Sequence, residues 1–137
     1  MAPTLNPGDE VRVLPMRWRG GAITRFDIVL FHPPSENLNW ISVSNSLFVF
    51  RIIGMPGEKV TLSAEGPLIN GELLRGLPAP LESGTWIIPS TKTREQDPTW
   101  TLMSDEVFVV GDNLTNALDS RFWGPLKITN IVGRVRL

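Results

Sequence analysis

Residues 46–62 read SLFVFRIIGMPGEKVTL, and the reading of this stretch decides the fold. Ser46 to Ile53 is a long run of β-branched, aromatic and aliphatic residues, and it is predicted as the central strand of a sheet. The Pro-Gly pair at Pro56-Gly57 then turns the chain, and Glu58 to Leu62 is predicted as the next strand. Working outward, Asp9 to Leu14 (DEVRVL) alternates polar and apolar residues as a half-buried strand does. Asp27 to Phe31 (DIVLF) is a short apolar run closed by prolines. Leu68-Ile69, Asn70-Gly71 and Glu72 to Leu74 form a hairpin signature, because Asn-Gly favours the left-handed conformations of a type I′ turn. Thr85 to Ile88, Glu106 to Val110 and Ile131 to Leu137 bring the expectation to about eight short strands. Twelve glycines and twelve prolines interrupt every candidate helix before three turns. The expected class is all-β in one domain spanning 1–137, with residues 78–100 as a long excursion or small inserted subdomain.

The composition narrows function as well. With 137 residues and 42% hydrophobic content the chain can build one core, and a net charge of −1 without a basic stripe argues against nucleic acid as a partner. The absence of cysteine removes disulfides and thiolate chemistry, and a single histidine, His32, rules out a multi-histidine metal site. No metal or cofactor is expected. No stretch has the ~20 apolar residues of a membrane span, and the first residues lack the pattern of a secretion signal. Leu14-Pro15-Met16-Arg17-Trp18-Arg19 joins an aromatic ring to two cations, a combination suited to a membrane interface.

Four separated stretches carry the functional information. The chain opens Met1-Ala2-Pro3-Thr4-Leu5-Asn6-Pro7-Gly8-Asp9. Arg25-Phe26-Asp27-Ile28-Val29 follows, with Phe31 and Pro33 behind it. Phe50-Arg51-Ile52-Ile53-Gly54-Met55-Pro56-Gly57-Glu58 lies mid-chain, and GDNLTNALDSRFWG occupies 111–124. In this order they resemble the boxes of the signal peptidase I family, the membrane-bound serine endopeptidases that remove signal peptides from exported proteins. The resemblance covers nearly the whole chain and implies a curved, mostly antiparallel β-structure. It also implies a membrane-associated location on the extracytoplasmic face, with signal peptides or other extended segments as partners.

The resemblance fails where the family's chemistry resides. The family pairs a serine nucleophile with a lysine base. Such a lysine works only where an apolar site lowers its pKa from ~10.4 by two to three units, worth roughly 3 to 4 kcal/mol. Phe50 stands at the base position, Ala117 stands where the family has a serine that orients the lysine, and the nucleophile's position falls immediately before Met1. Phenylalanine cannot accept a proton, and an alanine beside it avoids a buried hydroxyl without a partner, so the two look like one coupled change. Lys59, Lys92, Lys127 and His32 are not matched to the motif and carry no assigned role.

Other positions match the family's supporting parts. Met1, Leu5, Phe48 and Val49 match residues around the substrate pockets. Arg51, Asp112, Asn113, Asp119, Ser120 and Arg121 match the frame of the site, with Asp119 expected to pair with both Arg121 and Arg51. The first expectation is a noncatalytic peptide-binding or helper subunit, conceivably beside a homologous catalytic chain. The alternatives are an active peptidase completed by an upstream serine and an unassigned base, and a purely structural β-domain.

Overall fold

A computed structural model of the chain describes residues 1–16, 23–34, 46–89 and 96–137. Among the described residues ten strands are present: β1 Arg12–Pro15, β2 Ile28–Phe31, β3 Phe48–Gly54, β4 Lys59–Ser63, β5 Gly66–Ile69, β6 Glu72–Leu73, β7 Thr99–Thr101, β8 Glu106–Val110, β9 Leu126–Lys127 and β10 Ile131–Arg136. Two one-turn helices, α1 Ala79–Glu82 and α2 Ser120–Trp123, join them. The strands form a six-stranded sheet in the order β1-β10-β2-β3-β8-β9 and a four-stranded sheet in the order β6-β5-β4-β7, with every pairing antiparallel.

The long apolar run becomes intelligible at this point. Successive side chains of a strand point to opposite faces. Ile52 of β3 and Val107 and Val109 of β8 enter one core with Val29, Phe31, Trp123 and Leu126. Ile53, Phe108 and Val110 enter a second core with Val60, Leu62, Leu81, Trp86 and Leu102. The middle of the six-stranded sheet is therefore covered on both faces, and its strands have no polar side to alternate with. β8 is the expected strand 106–110, and β3 is the expected strand 46–53 begun two residues later and extended by Gly54. At Gly54 the ladder to β8 shifts register. A Cβ there would lie 2.7 Å from Val60 Cγ2 and 2.8 Å from Phe108 Cβ, so only glycine lets β4 cross this closely over β3 and β8.

The hairpin at Asn70-Gly71 forms as the sequence predicts. Asn70 has φ 51 and Gly71 φ 86, the pair of positive values a type I′ turn needs. Three expectations fail. Residues 85–88 form no strand: Trp86 is buried in the second core, and its indole N–H donates to Leu81 O at 3.2 Å, tying the segment to α1 instead of a ladder. β7 and β9, only three and two residues long, carry too few side chains to announce themselves. The stretch 111–124, read as loop, contains α2, which Asp119 caps by accepting from Arg121 N–H. The segment with Trp18 lies largely outside the described residues.

Candidate functional site

The four motif stretches, far apart in sequence, meet at one ion pair. Arg51 projects from β3 and grips Asp112 with two parallel bonds, Nε to Oδ1 at 2.9 Å and Nη2 to Oδ2 at 2.7 Å. Its remaining nitrogen donates to Phe26 O at 3.0 Å. Asp112 also accepts from the Thr4 hydroxyl, and its own N–H is directed at the Met1 sulfur at 3.5 Å. Both charged groups are buried, so the pair is useful mainly because its hydrogen bonds are so fully satisfied. The expected Arg51–Asp119 pairing is not formed: Asp112 lies opposite the guanidinium and takes its place.

Asp119 instead braces the loop. Its carboxylate accepts from Arg121 Nε at 2.8 Å, from Arg121 Nη2 at 2.9 Å and from Gly111 N–H at 2.9 Å. Arg121 reaches on to the carbonyls of Leu114 at 2.9 Å and Ala117 at 3.4 Å, which fixes the path of 114–119. The Ser120 hydroxyl accepts from Val109 N–H at 3.0 Å, securing the loop to β8. Asn113 is half-buried. Its carbonyl accepts from Asn116 N–H and its side chain from the Thr115 hydroxyl, closing the turn before Ala117. The density of polar groups in this loop is explained by that framework, which holds one short apolar segment in place.

The framework borders a cleft of about 480 Å³. Its walls are Met1 and Leu5 from the N-terminal segment, Phe48, Val49 and Phe50 from β3, and Ala117 and Leu118 from the loop. All four residues matched to substrate pockets thus line one cavity with the two positions where the motif is broken. Asn6, Asp9, Val11, Leu47 and Asn116 also line it, and sequence reasoning missed them. The nearest signal was their adjacency to matched positions. The Phe50 ring and the Ala117 methyl close in on Gly111 and leave no room for a side chain there. A Cβ built on Gly111 would lie 2.5 Å from Ala117 Cβ and 3.1 Å from Phe50 Cε1. The ring also packs against Phe31 and Phe48, with centroids 5.8 Å apart in each case.

No lysine, arginine or histidine side chain lines the cleft among the described residues. Lys59 is exposed at the start of β4, and His32 is exposed beyond β2. Lys127 bonds Asp105 at 3.3 Å, and this bond and the neighbouring Glu106 raise its pKa, opposite to the shift a general base needs. Lys92 lies outside the described residues.

The cleft has a backbone edge. Ile52 N–H donates to Asp27 O and Ile52 O accepts from Phe26 N–H, so the main-chain groups of Phe50 and Phe48, in step with Ile52, turn towards β2. Those of Arg51 and Val49 turn the other way. Arg51 meets Val110 of β8, but that ladder ends there, and Val49, paired with Leu30 on the β2 side, has no strand partner on the cleft side among the described residues.

These features agree with comparison to known proteins. The family described as signal peptidase, peptidase S26, matches residues 1–137. The chain is 34% identical over 134 residues to a signal peptidase I of Leptolyngbya laminosa, covering 98% of this chain and 61% of that protein. It is 31% identical over 138 residues to signal peptidase I V of Bacillus subtilis, covering 97% of this chain and 76% of that one. A crystal structure of a signal peptidase I from Enterococcus faecalis superposes with a TM-score of 0.60 at 28% identity, over 82% of this chain and 96% of the other. Family match, relatives and fold agree, and the chain belongs to the signal peptidase, peptidase S26, family.

Proposed function

We propose that this chain is a signal-peptidase-like domain that captures extended peptide segments without cleaving them. In this reading it serves as a helper at the extracytoplasmic face of a membrane, beside a homologous catalytic subunit. The observation that carries the reading is the pairing of Phe50 with Ala117 in a cleft whose other walls keep the family pattern. A proton acceptor is needed to activate a hydroxyl nucleophile, and an aromatic ring against a methyl group supplies none. Peptide capture needs no such group. A strand laid beside Val49 would take up the main-chain donor and acceptor that β8 leaves without a partner among the described residues, and side chains on that strand would drop against Met1, Leu5 and Phe48.

The test uses the chain with whatever residues precede Met1 in its natural protein and a signal-peptide substrate. Titration calorimetry should detect binding, and chromatography should detect no cleavage product. Turnover that disappears on mutating a serine upstream of Met1 would overturn the noncatalytic reading in favour of an active peptidase with a base elsewhere.

A further inference from the structure

The cleft is apolar on its floor but carries one charged side chain among its described lining residues, Asp9. Asp9 closes the turn after the N-terminal segment: its Oδ2 accepts from Asn6 N–H at 2.8 Å, and its N–H donates to Asn6 O at 3.0 Å. This leaves Oδ1 uncommitted. No arginine or lysine pairs with Asp9 among the described residues, and the next residue, Glu10, is a second exposed carboxylate without an ion-pair partner there. Among the described residues this rim therefore carries negative charge without an ion-pair partner, although the protein as a whole is almost neutral. A bound strand lying along Val49 between β3 and the 116–118 segment occupies the same cleft as this carboxylate.

We infer that the cleft selects extended apolar segments that carry a lysine or arginine in reach of Asp9, so that Asp9 is its specificity-determining residue. This rests on the peptide-capture reading above and adds a charge rule to it. Opposite charge on a partner both steers the encounter and disfavours the wrong sequence, more than it adds affinity. An exposed pair contributes about 0.2 to 1 kcal/mol, which corresponds to a preference of up to about fivefold.

Two pairs of fluorescein-labelled, C-terminally amidated peptides of alternating valine and alanine test it, one pair with a flanking lysine or glutamine at the N-terminal end and the other with the same choice at the C-terminal end. Fluorescence anisotropy should show the lysine peptide binding about threefold more tightly from one end only. That preference should shrink between low and physiological salt, as an exposed charge pair requires. In Asp9→Asn, whose side-chain oxygen can still accept from Asn6 N–H, the two peptides of each pair should bind alike. Equal binding to the unaltered chain, or a preference that survives in Asp9→Asn, overturns the charge rule while leaving peptide capture intact. Failure of all four peptides to bind overturns the two readings together. The salt series needs no variant, so the rule stays testable if Asp9→Asn fails to fold.

Discussion

If Phe50 and Ala117 are one coupled change, restoring lysine and serine must show it as an interaction energy between the two sites. Phe50→Lys removes ring contacts with Phe31 and Phe48, at 5.8 Å each, worth about 0.5 to 1.5 kcal/mol apiece beyond simple burial. It also sets an amine beside the Ala117 methyl, and because the position is only half-buried the unpartnered amine costs about 1 kcal/mol, the lower end for a buried polar group. A total of roughly 2 to 4 kcal/mol is expected for Phe50→Lys alone. Ala117→Ser alone sets a hydroxyl against the Phe50 ring and costs about 1 kcal/mol. In the double variant the amine and hydroxyl satisfy each other, so the combined loss should fall about 1 to 2 kcal/mol short of the sum. Urea unfolding of the four proteins measures this, with unchanged denaturant slopes as the check that the same transition is followed. Phe50→Met with Ala117→Ser is the control and should be additive, because a thioether is a weak hydrogen-bond partner. Additivity of the lysine and serine changes within about 0.3 kcal/mol would refute the coupling.

Two further outcomes follow from the frame around the cleft. Phe26 has φ 73, a left-handed conformation that is strained for any residue with a side chain. Phe26→Gly should therefore be about 1 kcal/mol more stable than Phe26→Ala, since both lose the ring but only glycine relieves the backbone; the reverse order in thermal unfolding would count against the strain. At Glu58, burial raises the carboxyl pKa, but bonds from Arg25 and Met55 N–H outweigh it and hold the group below its usual value of 4.5. A folded pKa below the unfolded one stabilises the fold above about pH 4.5, and that contribution is lost as pH falls through the lowered value. Acid unfolding of Glu58→Gln should be shallower than that of the unaltered chain in this range.

Much of the fold was legible because its strongest elements have unambiguous chemistry. The run 46–53 is apolar apart from Ser46 and Arg51, as a central strand is, and Asn70-Gly71 favours the left-handed pair of a type I′ turn. The Thr85–Ile88 expectation failed because Trp86 has the composition of a strand residue, while its position is set by an anchor to Leu81 O that no local pattern reveals. In the site, the motif matches located the cleft walls, but Arg51 had two carboxylates available in one loop. Only the three-dimensional path of that loop turns Asp112 inward to Arg51 and Asp119 back to Arg121. The edge at Val49 that β8 leaves open was invisible for the same kind of reason: where a ladder ends is decided by the partner strand, here by β8 turning away after Val110.

The clasp of Arg121 on the carbonyls of Leu114 and Ala117 has one more consequence. Because those bonds hold that wall in place without a guest, a docked peptide would cost the host little disorder, and the entropy lost would belong mostly to the incoming chain. If the cleft captures peptides as proposed, it does so as a mould already cast, and pre-straightened guests should gain most.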